Sequence, residues 1–290
     1  MKFLRDLFGK KTEIRPIDVT RRFDLIVRVG QGSMSRVWRA RDTKTGKMVA
    51  LKILDKDKTK KLESRFTNLD KPSEGEIAVQ LQHPRLVRTY EYGYTKEGEQ
   101  WLMMEFIEGA SLSFLVEMQN EAMHANRLKF MIELGEGVDY LHQHRWIHRD
   151  ICPRNVLLDE DLDLKIIDFG LMVPDAPEFR KPGNRTGTAT YMAPELIRRQ
   201  PTDHRIDVFS YAVTCYEMWT KRRPWKGADS LDAMHQAINT PPRDVRELVP
   251  EIDERVAETI MKGLEREPRD RWPSAAKMVD EFRAAAERSQ

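Results

Sequence analysis

Polar and apolar positions change their period along this chain. In the first third, short runs rich in β-branched and aromatic residues are separated by turn-forming segments such as 43–47, a pattern typical of antiparallel strands. A charged segment ending near Gln82 interrupts the runs and predicts a helix. The strands are predicted at Phe23–Val29, Arg36–Arg41, Met48–Leu54, Leu86–Tyr94 and Gln100–Phe106.

From Ser111 onward the apolar positions recur at helical spacing, for example from Leu128 to Leu141. The segment Val208–Trp219 is apolar nearly all round, which is typical of a helix buried on every side. Between these helices, two short apolar runs flank 159–161 and predict a hairpin. The chain therefore reads as α+β, with a five-stranded antiparallel sheet and one main helix followed by a mostly helical region.

The amino-acid composition excludes only a few classes of protein. The 290 residues are 40% hydrophobic and 33% charged, which is enough to bury a substantial core. A net charge of +2 gives no reason to expect nucleic-acid binding. Cys152 and Cys215 lie far apart, so neither a disulfide framework nor a metal motif is predicted, and a cytoplasmic location is expected. No apolar run approaches the roughly 18 residues of a transmembrane span.

The most informative segment is HRDICPRN at 148–155, followed by DFG at 168–170. Asp150 is a carboxylate that can accept a hydroxyl proton, and Asn155 follows it by five positions. Asn155 and Asp168 offer the oxygen ligands that hard cations prefer. Phosphoryl transfer requires such groups, because it depends on positioning more than on covalent chemistry.

Two further motifs precede this segment. Gly30-Gln31-Gly32 lies between the first two predicted strands, where glycines allow backbone amides to approach phosphate oxygens. Lys52 follows on the third strand, among the alternating apolar residues Val49, Leu51 and Ile53.

These motifs, together with TGTATYMAPE at 186–195, resemble the serine/threonine protein kinase family over roughly Phe23 to Arg283. The resemblance implies a bilobed protein-kinase-like fold with an N-lobe over about 23–107 and a C-lobe over about 108–283. Residues 1–22 would then be an N-terminal extension and 284–290 a C-terminal tail. It also implies ATP and Mg²⁺ as cofactors and a protein substrate bearing Ser or Thr.

The resemblance assigns roles to individual residues. Asp150 would orient and deprotonate the acceptor hydroxyl, and Asn155 and Asp168 would bind Mg²⁺. Lys52 would bind the α- and β-phosphates, held by a carboxylate that is Glu74 by position, with Glu76 as the rival. The remaining nucleotide contacts would be Gly30, Gln31 and Gly32 at the phosphates, Val37, Ala50 and Leu157 around the purine, Met104 controlling access behind it, and the backbone of Glu105 and Ile107 at the adenine edge.

The chain departs from the family pattern at two positions. Ser35 stands where a third glycine is usual, and Cys152 stands where serine/threonine kinases carry a lysine that steadies the γ-phosphate. A thiol carries no positive charge, so it does not take that role. Arg154, four residues after Asp150, is the expected substitute, because a guanidinium suits a phosphoryl group.

The segment 186–195 resembles the one that docks the acceptor peptide in serine/threonine kinases, and the family resemblance implies further contacts. Thr188 is expected near Asp150, Glu195 is expected to pair with Arg271, and Asp207 is expected to brace the catalytic-loop backbone. Between Gly170 and Gly187 the only Thr is Thr186, and there is no Ser or Tyr. Asn184 occupies the position where many family members carry an activating phosphothreonine, so weak dependence on loop phosphorylation is expected.

Three other functions are compatible with parts of the sequence. A weakly active or pseudokinase scaffold is suggested by Cys152 and Ser35, and a small-molecule phosphotransferase could share the Asp-to-Asn spacing. Nucleic-acid binding through the lysines at 56–61 is disfavoured, because such a run is usually a solvated loop. Residues 1–11 combine one apolar helical face with basic residues, which predicts docking on the kinase lobe or, less strongly, peripheral contact with an anionic membrane.

Overall fold

The structure is a computed structural model that describes residues 15–31, 34–66, 69, 71–181, 185–226 and 230–288, without the side chains of Gln31 and Ser230. The chain divides into two compact units between Ile107 and Glu108. In the part of the chain that the structure describes, the first unit has one sheet and the second has two, and each unit has its own helices. Among the described residues, no helix is both long and apolar enough to cross a membrane.

The first unit is built on a five-stranded antiparallel sheet. Its strands lie in the order β1-β2-β3-β5-β4, so the hairpin β4–β5 adds to β3 through β5. Each predicted strand is present, with ends that differ by at most three residues from the sequence pattern. The strands are β1 (Phe23–Gln31), β2 (Ser35–Asp42), β3 (Met48–Leu54), β4 (Thr89–Tyr94) and β5 (Gln100–Glu105).

The register of the sheet separates a core face from a second face. Directly paired residues of an antiparallel ladder share a face, and neighbours along a strand alternate. Leu51 pairs with Met103 and Ile53 with Trp101, and all four belong to one buried cluster that also contains Phe23. The opposite face carries four of the predicted site residues, which are Val37, Ala50, Lys52 and Met104.

The charged segment before Gln82 forms two short helices where one was predicted. They are α2 (Lys56–Glu63) and α3 (Glu74–Ala78), and a short helix α1 (Val19–Arg22) precedes β1. A second helix begins because Ser73 and Glu76 form a reciprocal capping box at the start of α3. Each helix therefore has its own N-cap, with Asp55 serving α2.

The second unit is mostly helical. Its helices are α4 (Leu112–Met118), α5 (Glu121–Gln143), α6 (Pro194–Ile197), α7 (Arg205–Thr220), α8 (Ser230–Asn239), α9 (Glu254–Gly263) and α10 (Ala275–Ala286). A three-stranded sheet contains β6 (Gly109–Ser111), β8 (Val156–Asp159) and β9 (Leu164–Ile166). A two-stranded sheet joins β7 (Trp146–Ile147) to β10 (Val173–Pro174).

Helix α7 lies at the centre of this unit, as its all-round apolar sequence predicts. Every residue from Ile206 to Tyr216 is buried. Helix α5 packs along α10 and α7, and Gly135 lies where residues of both helices come close to it. A Cβ at Gly135 would lie 2.4 Å from Val279 and 2.5 Å from the Tyr211 hydroxyl, so only glycine lets these helices meet. The packed helices hold β7, β8 and the segments between them in place.

Candidate active site

Asp207 anchors the backbone of the predicted catalytic segment. Its carboxylate is fully buried on α7 and accepts hydrogen bonds from the amides of His148 at 2.7 Å and Arg149 at 2.8 Å. His142 Nε2 lies 3.0 Å from the same carboxylate. Burial alone would raise the pKa of Asp207, but the hydrogen bonds and charges of His142 and His148 outweigh it and hold that pKa below its usual value. The expected brace is therefore present.

The brace holds a residue in an unusual conformation. Arg149 has φ of +70°, in the left-handed region that non-glycine residues rarely adopt. Such conformations cost on the order of 1–3 kcal/mol and cluster at functional sites. Arg149 is also buried, and desolvation lowers the pKa of its guanidinium to about 10 although Asp207 opposes the change.

Asp150 follows this anchored segment and is contacted by two of the other predicted site residues. Its Oδ1 accepts hydrogen bonds from the Thr188 amide at 2.7 Å and the Thr188 hydroxyl at 2.5 Å. Asn155 Nδ2 donates to Asp150 Oδ2 at 2.8 Å and to the Asp150 carbonyl at 2.9 Å. Residues that lie 38 and 5 positions away in sequence thus fix the orientation of a single carboxylate.

Gly187 allows the Thr188 segment to approach Asp150. It has φ of +124°, and a Cβ there would lie 2.5 Å from the Arg149 carbonyl oxygen. Both the backbone angle and the close contact exclude a side chain. The glycine before Thr188 is therefore required by the contact between the two segments.

Arg154 and Cys152 both contact Thr188. Arg154 Nη2 donates to the Thr188 hydroxyl and lies 3.7 Å from Asp150 Oδ2. The Cys152 sulfur lies 3.7 Å from the same hydroxyl and is fully buried. Burial and the nearby Asp150 charge raise the pKa of the Cys152 thiol to about 12, so it stays neutral. In this part of the site the cation is Arg154.

Asn155 and Asp168 lie at opposite ends of the β8–β9 hairpin. The Ile167 amide donates to the Asn155 carbonyl at 2.9 Å, which brings the residue before Asp168 next to Asn155. Both hydrogen bonds from Asn155 to Asp150 use its Nδ2, so its amide oxygen is the atom left for a cation. Asp168 has φ of +69°, and its Oδ1 accepts from the Gly170 amide at 3.3 Å.

Lys52 and Glu74 form a buried ion pair in the first unit. Lys52 Nζ lies 2.6 Å from Glu74 Oε1, and the two side chains are only 7% and 6% exposed. The rival carboxylate, Glu76, instead accepts from the Ser73 amide at 2.8 Å in the capping box. The sequence pattern S-x-x-E at 73–76 is a signal that would have separated the two glutamates.

The other residues that were predicted to contact the nucleotide lie on strands of both units or outside the described residues. Met104 and Glu105 end β5, and Ile107 is the last residue of the first unit. Gly30 pairs with Val37 across β1 and β2. Leu157 pairs with Ser111 in the sheet of the second unit. Gly32, the side chain of Gln31, Asn184 and the segment 1–11 lie outside the described residues.

Two further features surround the site. Arg271 binds Glu195 through two contacts of 2.7 Å, and both side chains are buried, so the expected pair is present. Thr186 is only 6% exposed, and its hydroxyl is buried without a hydrogen-bond partner among the described residues. The one Thr of this loop therefore does not present its hydroxyl to solvent.

Comparison with known proteins identifies the family. Residues 23–282 match the family of the protein kinase domain. The chain belongs to the protein kinase family. This kinase chain is also similar to a probable serine/threonine-protein kinase of Streptomyces coelicolor, with 28% identity over 265 residues. That alignment covers 89% of the chain and 39% of the relative.

Two more relatives extend the comparison. A probable serine/threonine-protein kinase of Clostridium perfringens is 28% identical over 265 residues, covering 90% of the chain and 38% of the relative. Ribosomal protein S6 kinase alpha-1 of Homo sapiens is 33% identical over 217 residues, covering 73% of the chain and 29% of the relative. The kinase chain thus spans less than half the length of each of these curated relatives.

Sequence reasoning did not find two contributors to the site. His142 contacts Asp207 from the end of α5, and its helical position four residues after Val138 gave no sign of this contact. Tyr191 donates a hydrogen bond to Glu217, which joins the segment 186–195 to the C-terminal end of α7. Both contacts join residues far apart in the chain, so no local motif marks them.

Proposed function

We propose that this chain transfers the γ-phosphoryl group of Mg-ATP to a Ser or Thr hydroxyl of a protein substrate. The observation that carries the proposal is the set of hydrogen bonds that Thr188 and Asn155 make to the Asp150 carboxylate. A fixed carboxylate beside the acceptor position can orient a hydroxyl and accept its proton. The reaction then depends on positioning and on stabilisation of developing negative charge, as phosphoryl transfer does in general.

The donor groups fit the cofactor that the family uses. In the second unit, Asn155 and Asp168 would bind Mg²⁺ through one amide oxygen and one carboxylate, since Mg²⁺ completes its octahedron with phosphates and water. In the first unit, Lys52 would bind the phosphates, and its ion pair with Glu74 supports this by fixing the direction of the amine. When bound, Mg²⁺ would neutralise charge on the phosphates.

Arg154 would supply the positive charge that the family pattern places at Cys152. The neutral, buried thiol supports this assignment, because it has neither charge nor solvent access. Arg154 Nη2 already lies beside the Thr188 hydroxyl and Asp150. Its guanidinium would stabilise the transferred group without changing its protonation state.

One assay tests the activity itself. The full chain is incubated with Mg-ATP and a generic protein substrate, and the phosphorylated residues are identified by mass spectrometry. We expect phosphoserine and phosphothreonine with the wild type, and near loss of turnover with Asp150→Asn, Asp168→Ala and Lys52→Met. Lys47→Met is the matched control, because Lys47 is an exposed lysine just before β3. Near-native turnover in Asp150→Asn would contradict the proposed base.

A second assay tests Arg154. Arg154→Ala should lower kcat by more than it weakens nucleotide binding, because the charge acts mainly in the transition state. Adding Cys152→Lys to that variant should restore part of the loss. If Arg154→Ala keeps the wild-type kcat, another group stabilises the γ-phosphate.

We also place the activity in a reducing compartment, such as the cytoplasm. Cys152 and Cys215 are both buried and unpaired, which supports a location where thiols remain reduced. Fractionation of cells expressing the full-length protein, with an antibody against the kinase domain, tests this location.

A further inference from the structure

A cavity of about 330 Å³ adjoins Asp150 within the second unit. Thr188 and Arg154 form the wall nearest to Asp150, and both contact its carboxylate. Another part of the lining comes from the end of α7, where Lys221 and Arg223 lie. We call this cavity the acceptor-side pocket. Because Thr188 and Arg154 line the pocket and also contact Asp150, a substrate segment bound at Asp150 would extend past the pocket.

The charges that line the pocket are not balanced. Three cations, Arg154, Lys221 and Arg223, face two carboxylates, Glu117 and Glu217. Glu117 pairs with Lys221 at 3.2 Å, so these two charges compensate each other and leave Arg154 and Arg223 opposite Glu217. Arg222, which is exposed and lies between two of the lining cations in the sequence, adds a further positive charge to this segment.

The second carboxylate, Glu217, is poorly available to bind a basic side chain of a substrate. Its Oε2 accepts a hydrogen bond from the Tyr191 hydroxyl, and the charge of Arg223 acts on it. Burial raises the pKa of Glu217 above its usual value, although the Tyr191 hydrogen bond and Arg223 oppose the change. A basic substrate side chain would therefore meet a carboxylate that already has a donor and a cation beside it.

Arg154 retains hydrogen-bonding capacity toward the pocket. A guanidinium has five N–H donors, and within the described residues only Nη2 of Arg154 makes polar contacts. Its side chain is 61% exposed, so the remaining donors are accessible. Cations that follow the end of a helix also complement the helix dipole, which accounts for Lys221 as the C-cap of α7. Arg223 lies two residues further on, beyond the helix, where its charge acts on Glu217.

We propose that the acceptor-side pocket binds an anionic side chain of the protein substrate, a carboxylate or a phosphorylated residue, close to the acceptor Ser or Thr. This inference rests on the proposed kinase activity and names its substrate class. An extended peptide advances about 3.3 Å per residue, so residues within about four positions of the acceptor can reach the pocket. Arg223 determines the preference together with Lys221, whose ion pair with Glu117 is weak because the two side chains are 46% and 74% exposed.

The test uses peptides with one Ser in an otherwise uncharged sequence. Glu, Gln or Arg is placed in turn at each of the four positions on either side, and kcat/KM is measured for the full chain. We expect one or two positions at which Glu exceeds Gln by about tenfold and Arg falls below Gln. The preference should weaken as salt rises, because the lining cations are partly exposed. A peptide with phosphoserine in place of Glu at the preferred position shows whether a phosphorylated residue or a carboxylate is the better substrate group.

The double variant Lys221→Glu/Arg223→Glu should abolish or reverse the preference while its activity on the uncharged peptide is retained. Lys277→Glu/Arg288→Glu is the matched control, because it makes the same charge change at exposed sites on α10 and just beyond it. Glu no better than Gln at every position would overturn the inference, as would a preference that survives in the double variant.

A binding measurement separates this inference from the proposed function. Peptides with Ala in place of the acceptor Ser are labelled, and their affinity for the full chain is measured by fluorescence anisotropy. We expect the Glu peptide to bind about tenfold more tightly than the Gln peptide, and to lose this advantage in the double variant. Equal binding of the two peptides would overturn the inference. Absence of phosphorylation of every peptide would instead contradict the kinase activity.

Discussion

Replacing Asp207 by Asn would change one atom of a buried carboxylate that organises the catalytic segment. One oxygen accepts from the His148 amide and lies near His142, and the other accepts from the Arg149 amide. Asn presents an oxygen on one side and an NH₂ group on the other. Whichever way the amide is turned, one buried backbone N–H, of His148 or of Arg149, faces another donor.

The expected cost follows from this geometry. A buried donor without a partner costs about 1–3 kcal/mol, and a hydrogen bond that loses its charged acceptor weakens by about 1 kcal/mol. Asp207→Asn should therefore destabilise the second unit by roughly 2–4 kcal/mol. Turnover should also fall, because the strained Arg149 backbone and the adjoining Asp150 lose their anchor.

The effect should depend on pH in a defined direction. The pKa of Asp207 is lower in the folded protein than its usual value near 3.9. Its contribution to stability is therefore fully present above about pH 4 and is lost as the pH falls through the lowered pKa. The difference between wild type and Asp207→Asn should be largest near neutral pH and shrink in acid.

Amide hydrogen exchange of the segment 146–151 measures this effect locally, which matters because a chain of two units need not unfold in one step. Urea unfolding followed by circular dichroism gives the global value. Asp161→Asn makes the same chemical change at an exposed hairpin residue and should leave both measurements unchanged. Wild-type protection of the segment in Asp207→Asn would refute the reasoning.

Three further predictions concern neighbouring contacts. Arg271→Ala leaves a buried carboxylate without its cation and should lower the free energy of unfolding by about 3–5 kcal/mol in urea titrations, whereas the exposed neighbour Arg269→Ala should have little effect. Gly187→Ala would place a Cβ 2.5 Å from the Arg149 carbonyl, so thermal unfolding should show a loss of about 2 kcal/mol or more, with reduced kcat. Because Thr186 is buried, phosphatase treatment and Thr186→Ala should both leave the rate nearly unchanged; a collapse of the rate in both would contradict this expectation.

The sequence predicted those parts of the molecule that local patterns determine. The strands of the first unit follow from alternation, and β3 begins and ends where the pattern places it. The motif at 148–155 places Asp150 and Asn155 within one short loop, although the hydrogen bond between them was not itself predicted. Helix α7 was equally predictable, because a helix that is apolar all round has to be buried.

Other features depend on contacts between distant residues. Strand β6 has the sequence Gly-Ala-Ser, which has no strand pattern, and it exists because it pairs with β8, which lies far along the chain. The hydrogen bonds from the His148 and Arg149 amides to Asp207 likewise join residues 59 and 58 positions apart, and they were expected only from the resemblance to the family, not from a local pattern. The charge of the acceptor-side pocket results from residues on α4, on α7 and just after it, and in the loop that contains Arg154, which no single stretch of sequence brings together.

The packing of the residues before β1 has a practical consequence for anyone who expresses this domain. The family match begins at residue 23, yet Val19 is buried in the core cluster, and Ile17 packs against that cluster and pairs with Thr95. Arg22 contacts the fully buried Asp42 at 2.8 Å. A recombinant chain cut at the family boundary would lose the burial of one Val, about 1.5–3 kcal/mol, and would leave Asp42 without its cation. The shortest stable recombinant domain should therefore begin at or before Ile17, several residues upstream of the region that matches the family.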